Sequence, residues 1–374
     1  MLSDAADAEI AQVAHTRIAW MAGITQKVER LVVRRSTLTK MAAGLGVLCL
    51  AMAPHTQAPM APAERPDFGD WMSLLRQEAL SRGVTPATIE QALAFEEPLA
   101  VVVERDRTQA ETILTVDQYV ERRLTRTFVT NARRRAITHR SLLRSVSQAY
   151  QVGSRYLVAI WGLESNFGRF SGVRPTVHAL ATLAWDGRRA TLFRNELFAA
   201  LEILDRGYID HHRLKGSWAG AMGQTQFMPS SYLKYAEDFD GDGHRDIWAS
   251  QGDVFASIAN YLKQHGWQDG HTWGREVSLP DGGWSRMSGA VGLRDTGCRA
   301  LREMTVALPL EQWHTLGVRA ADKGVLPRVD RTGSLVSTGR RTFLVYGNYE
   351  SLLQYNCAHA YALSVGLLAD RIGG

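Results

Sequence analysis

The chain has 374 residues, 45% hydrophobic and 22% charged, an ordinary globular composition without internal repeats or low-complexity tracts, long enough for two or three domains or one elaborated domain. A formal net charge of +5 is too modest to call for nucleic acid as a partner; it suits an anionic polymer or the surroundings of a cell envelope. The three cysteines, Cys49, Cys298 and Cys357, form no metal-binding cluster.

Residues 1–58 read as a targeting segment. Arg30, Arg34, Arg35 and Lys40 make a basic stretch, the apolar run Met41–Met52 has only 12 residues, and TQA ending at Ala58 has the form of a cleavage site. Leu48 precedes Cys49 where a lipidation site has a small residue, so no lipid anchor is expected. Loss of the segment leaves Cys298 and Cys357, which could pair in an oxidising compartment; sequence spacing does not say whether they meet.

Residues 59–66 form a Pro/Ala-rich linker, and 67–145 an N-terminal helical region. In WMSLLRQEALSRG the residues Trp71, Leu74 and Leu75 share a face and Gly83 stops the helix; TPATIEQALAF opens with Thr85 as N-cap and Pro86 at the first helical position. Residues 115–150 are helical and rich in arginine, which reads as a solvated face, with contact to an acidic polymer as the alternative. A core over 146–274 holds a buried helix from about Ser154 (SRYLVAIWGLE), an amphipathic one (TLFRNELFAALEIL) and a third starting at Asp253. Short strand-like runs over 275–345 form a small β-rich insertion, and 346–374 returns as a C-terminal helix that completes the core. The fold class is mainly α, as α+β.

Three segments carry chemistry. Glu164 ends an apolar helix and is followed by Ser165, Asn166 and Gly168; the plain reading is a solvent-facing helix end, but a carboxyl held in a poorly hydrated cleft resists ionisation and serves as a general acid. GSWAGAMGQTQFMPSSY supplies glycines for backbone running close to a ligand, with glutamines and aromatics that match the polar and flat faces of sugars; a tight turn packing two helices is the alternative. In DFDGDGHRDIW, Asp238, Asp240 and Asp242 stand at positions 1, 3 and 5 of a calcium loop, with Gly243 at 6 and the His244 carbonyl at 7. Ala249 occupies position 12, where a bidentate Glu is usual, and Asp253 could close the shell in a longer loop.

In order and spacing, AIWGLESNFGRFSG, GSWAGAMGQTQFMPSSYLKYAEDFDGDGHRDIW, SIANYLKQHGW and YNCAHAYALSVGLLADRI resemble the lytic murein transglycosylase B family over residues 67–374. The resemblance implies a lysozyme-like helical core with an EF-hand-like calcium loop and a small β insertion. It implies cleavage of the β-1,4 bond between N-acetylmuramic acid and N-acetylglucosamine in peptidoglycan, leaving 1,6-anhydromuramoyl ends. It makes Glu164 the single acid, then base, where hydrolytic glycosidases use two carboxylates. Ser217, Gln226, Phe227, Tyr261, Tyr355, Asn356 and Tyr361 become the substrate-binding set. Asp238, Asp240, Asp242, His244 and Asp253 become ligands of a structural Ca2+. A periplasmic monomer acting on glycan strands is expected, with envelope-assembly proteins as further partners. A hydrolytic lysozyme- or chitinase-like glycosidase and a catalytically silent murein-binding protein are the competing readings.

Overall fold

The computed structural model describes residues 65–108 and 114–373. The expected targeting segment, Cys49 and nearly all of the linker lie outside the described residues. Helix α1 (Phe68–Ser81) starts at Asp67, whose carboxylate accepts the Gly69 and Asp70 N–H groups. Helix α2 (Pro86–Ala92) is capped by Thr85, as its sequence implies. The buried stripe of α1 is Phe68, Met72, Leu75 and Ala79. Leu74 lies off that stripe and is 62% exposed, because adjacent helical residues point about 100° apart and only one of the Leu74–Leu75 pair can face the core.

Helices α3 (Ala100–Arg107), α4 (Val116–Arg123), α5 (Arg126–Thr138) and α6 (Arg140–Tyr150) follow. A division at residue 145 would cut α6, which runs on to Tyr150 before Gln151 turns left-handed. On these helices Arg122, Arg126, Arg133 and Arg134 form a solvated face. Arg123 and Arg135 do not belong to it. Arg123 donates to the Leu163 carbonyl at 2.5 Å, and the Arg135 guanidinium lies 6.0 Å from the Trp161 ring.

Both inward arginines reach α7 (Ser154–Ser165), the axis of the molecule. Every residue from Tyr156 to Ser165 is buried, as expected of a helix apolar on all sides, and α5, α6 and two later helices pack around it. Strand β1 (Arg174–Pro175), α8 (Thr176–Asp186) and α9 (Ala190–Asp205) come next, and β1 pairs antiparallel with β2 (Lys215–Gly216). Helices α10 (Pro229–Tyr235) and α11 (Gln251–Gln264) flank the acidic loop. The second begins two residues before Asp253, on Ser250, whose hydroxyl accepts the Asp253 N–H.

The next segment comprises β3 (Gly274–Ser278), α12 (Gly283–Val291), α13 (Arg299–Arg302), β4 (Leu308–Pro309), α14 (Leu310–Thr315), β5 (Arg319–Ala320), β6 (Thr332–Ser337) and β7 (Thr342–Val345). Its strands form one sheet, ordered β4-β6-β7-β3-β5 with antiparallel neighbours. The period-2 geometry of strands gives the sheet two buried faces. Leu335 and Leu344 enter a small core with Val277, Met287, Leu310 and Trp313, while Val336, Phe343 and Val345 join the main helical core. The β6–β7 turn docks on α4: Thr338 and Arg341 both bind the buried Asp117 carboxylate, at 2.6 and 2.9 Å.

The C-terminal region is two helices rather than one. Helix α15 (Gly347–Tyr355) ends at Asn356, which is extended, and α16 (His359–Gly373) starts three residues later. The break has a covalent partner, since Cys357 forms a disulfide with Cys298 at the start of α13, with 6.4 Å between Cα atoms. Among the described residues no helix is long and apolar enough to cross a membrane.

Candidate active site

Glu164 lies in the last turn of α7 and is 1% exposed. The chain then makes a tight exit, with Asn166, Phe167 and Gly168 all at positive φ (49°, 60° and 78°). Asn tolerates this region and Gly is at ease in it, but Phe is strained. Packing holds Phe167, whose ring is 5.0 Å from Phe128 and 5.5 Å from Trp161. The Ser165 hydroxyl bridges the exit, donating to the Trp161 carbonyl at 2.9 Å and accepting from Gly168 N–H at 3.0 Å. A Cβ on residue 168 would fall 2.4 Å from the Gln224 side-chain oxygen.

Gln224, one of the glutamines that the sequence offers as hydrogen-bonding groups for a sugar, is committed to protein instead. Its side-chain oxygen accepts the Trp161 indole N–H at 2.7 Å and the Gln251 amide at 3.1 Å; its amide donates to the Trp248 carbonyl at 2.8 Å. One buried amide thus joins α7, the end of the acidic loop and the start of α11. Arg123, hidden in an arginine-rich run, carried no signal of its own.

The Gly-rich segment is folded against itself. The Ser217 hydroxyl accepts the Ala219 and Ala221 N–H groups at 3.3 and 3.1 Å, and Met222 and Phe227 exchange both backbone hydrogen bonds, at 2.7 and 3.1 Å. The close approach at Gly216 is to protein: a Cβ there would lie 2.7 Å from the Ala221 carbonyl, and one on Gly172 would lie 2.3 Å from Gly216. Of the two readings offered by the sequence, tight packing accounts for this glycine.

Gln226, at φ 50°, donates its amide to the Gly223 carbonyl at 2.9 Å. Beside it an aromatic group gathers from the Gly-rich segment and three helices. The Phe227 ring is 5.5 Å from Tyr261 and 5.8 Å from Tyr355; Tyr261 and Tyr355 are 4.7 Å apart, and Tyr355 stacks on Tyr361 at 6.2 Å. The tyrosine hydroxyls fix the frame: Tyr261 donates to the Gln354 carbonyl and Tyr355 to the Thr225 carbonyl, each at 2.7 Å. Asn356 is buried next to this group, and its side-chain nitrogen and oxygen have no hydrogen-bond partner among the described residues; the same holds for the Thr225 hydroxyl. Gln226, Phe227, Tyr261, Tyr355, Asn356 and Tyr361 therefore form one wall. The Gln224–Trp161 bond ties that wall to α7 one turn before Glu164.

Other buried carboxylates have structural duties. Asp106 pairs with Arg188 and Arg189, and both oxygens of Glu196 accept from Ser230, at the N-terminus of α10. Asp186 pairs with Arg65 and Arg107.

In the acidic loop, carboxylate oxygens of Asp238, Asp240 and Asp253 lie within 4.8 Å of one another. Asp238 also accepts N–H groups of Gly241, Asp242 and Gly243, which curls the loop. Asp253, fully buried, accepts the Phe239 and Asp246 N–H groups at 2.8 and 2.7 Å. Its burial, with Asp240 and Asp238 adding repulsion, holds its carboxyl above the usual range. Hard oxygen donors converging this closely fit a divalent cation such as Ca2+. Asp242 stands outside the trio and accepts the His244 N–H at 2.8 Å.

Residues 67–370 match the family described as Transglycosylase SLT domain. A curated relative is membrane-bound lytic murein transglycosylase B of Escherichia coli K12, 34% identical over 231 residues, which span 60% of this chain and 58% of the relative's length. Among solved structures, SltB3 from Pseudomonas aeruginosa in complex with NAG-anhNAM-pentapeptide is 41% identical, with a TM-score of 0.75 over 82% of this chain and 80% of that one. The Escherichia coli lytic transglycosylase Slt35 in complex with calcium is 27% identical, with a TM-score of 0.66 over 83% of this chain and 94% of that one. The chain belongs to the Transglycosylase SLT domain family.

Proposed function

We propose that the protein is a lytic transglycosylase that cleaves the β-1,4 bond between N-acetylmuramic acid and N-acetylglucosamine in peptidoglycan and leaves 1,6-anhydromuramoyl ends. The observation that carries the reading is Glu164, a carboxyl 1% exposed at the end of the central helix, tied through Trp161 and Gln224 to an aromatic and amide-bearing wall. Burial without full solvation penalises a charged carboxylate. In this mechanism Glu164 protonates the departing glycosidic oxygen. The resulting carboxylate takes the proton from the muramoyl O6 hydroxyl as that oxygen attacks C1, so the group ends protonated and no water is consumed. An internal nucleophile removes the need for the second carboxylate of a hydrolase, in keeping with the structural commitments of Asp186 and Glu196.

Gln226, Asn356 and Thr225 offer the sugar its hydrogen bonds. The Asn356 amide, buried with both polar atoms unsatisfied, matches an N-acetyl group, which presents one donor and one acceptor. Phe227, Tyr261, Tyr355 and Tyr361 supply flat apolar surface. Ser217, whose hydroxyl oxygen already accepts two N–H groups, has its proton left to donate toward the Glu164 side. Asp238, Asp240 and Asp253 would hold a calcium ion, with Asp242 and the His244 carbonyl as the remaining expected ligands. When bound, the ion neutralises the loop's charge and stiffens it. The reading takes residues 146–274 with 346–374 as the lysozyme-like catalytic body, the β-rich segment as an insertion, and the protein as a periplasmic monomer. The Cys298–Cys357 disulfide supports an oxidising compartment. Turbidity of purified sacculi tests the reading: the wild type clears them and Glu164→Gln does not. Equal clearing by both would remove Glu164 from the mechanism.

A further inference from the structure

Beside Ser217 is a cavity of about 110 Å³ lined by Arg105, Arg169, Arg174, Phe170 and Trp218. No acidic residue lines it. Arg169 and Arg174 make no ion pair among the described residues; Arg169 lies over the Phe170 ring at 6.0 Å. The frame around them is rigid. Arg174 is paired with Gly216 in the β1–β2 ladder, which sets it one residue from Ser217. The Gly172–Gly216 contact fixes the loop that carries Arg169. Arg174 is half-buried, so its charge is screened less than that of a fully exposed arginine.

We infer that this cavity, through Arg169 and Arg174, binds carboxylates of the peptide stems that peptidoglycan carries on its muramoyl sugars. The inference rests on the peptidoglycan reading above and extends it from the glycan to the peptide. Guanidinium groups recognise carboxylates through paired N–H donors, and a stem attached to a sugar beside Ser217 needs to extend only a short way to bring its carboxylates there. The cavity would favour strands with acidic stems over strands whose stems are removed or neutralised.

The test compares three substrates: peptide-bearing strands, strands stripped by an amidase, and peptide-bearing strands whose carboxylates have been converted to amides. Each is given to the wild type and to the double variant Arg169→Ala/Arg174→Ala, with the fold of both checked by thermal melting. The wild type is expected to show kcat/KM about tenfold higher on acidic strands than on amidated ones, carried by KM, a ratio that corresponds to one or two charge-assisted contacts. In the double variant the ratio falls toward one, and Arg169→Lys/Arg174→Lys recovers part of it. A wild-type ratio near one, or a double variant that keeps the wild-type ratio, overturns the assignment while leaving the glycan reading intact. A wild type that cleaves none of the three overturns both.

Discussion

The Trp161 indole donates to the Gln224 side-chain oxygen at 2.7 Å, and through that one amide the central helix is fastened to the acidic loop. Replacing Gln224 by Leu keeps the volume but leaves the buried Trp161 N–H and the half-buried Trp248 carbonyl without their partner. At about 1–3 kcal/mol for each orphaned group, urea denaturation should show a loss of about 3 kcal/mol. Sacculus cleavage should fall further than the folded fraction does, because Glu164 is one helical turn from the lost anchor. Activity that simply tracks the folded population would reduce Gln224 to a stability residue.

The convergence of Asp238, Asp240 and Asp253 makes the loop's stability depend on a cation. Without one, the raised Asp253 pKa means that ionising this group costs stability as the pH rises above about 3.8. Ca2+ at a hundred times its dissociation constant should add about 2.7 kcal/mol, seen as a rise in melting temperature that chelator reverses. Asp240→Asn, at the most exposed of the three, should shrink that rise. A melting temperature indifferent to chelator would count against the site.

The disulfide Cys298–Cys357 closes a span with a sequence separation of 59, which contains most of the β-rich segment. Loop-closure entropy for a span of this length is roughly 4 kcal/mol. Reduction, or Cys298→Ser, should lower stability by up to that amount, and the first segment to gain hydrogen exchange should be the α15–α16 junction around Asn356. Unchanged exchange there would separate the bond from the wall of the site.

His359, at the start of α16, is buried, and burial pushes its pKa down from 6.5 to about 4, opposed by Glu303 at 3.9 Å; Arg299 adds to the lowering. The Tyr349 hydroxyl contacts its Nδ1 at 2.9 Å. The native state holds this imidazole neutral while the unfolded chain protonates it, so its contribution is fully present above about pH 6.5. It is lost as the pH falls through about 4, about 3 kcal/mol in all at about 1.4 kcal/mol per pKa unit. Asp370, raised by burial, acts with the opposite sign at its own, carboxylate end of the scale. Comparison of wild type with His359→Gln isolates the histidine: the slope of stability against pH between about 4 and 6.5 should flatten by one proton. An unaltered slope would place the titration elsewhere.

What the sequence made legible was local. The uninterrupted apolar run of α7, the Thr85–Pro86 cap and the DxDxDG loop are patterns of neighbouring residues; the first two have their expected form, while the loop gathers Asp238 and Asp240 with Asp253 and leaves Asp242 outside. The pattern over 346–374 reads as one helix because no Gly or Pro marks the break at Asn356–Ala358; the break between α15 and α16 follows from extended backbone at Asn356 and the tether at Cys357. The sheet order β4-β6-β7-β3-β5, the Arg123 bond to Leu163 and the three-element grip of Gln224 all join residues far apart in the chain. Spacing along a sequence carries no record of such meetings. Asp253 illustrates the middle case: its type and approximate position were readable, but its hold on the Phe239 and Asp246 backbone was not.

The central claim is that one buried carboxyl, Glu164, serves both proton transfers while the sugar supplies its own nucleophile. Mass analysis of the muropeptides released by the wild-type protein tests it most directly. The account predicts 1,6-anhydromuramoyl products, each lighter by one water than the corresponding reducing end, and their disappearance with Glu164→Gln. Reducing-end products that take up labelled oxygen from the solvent would contradict it.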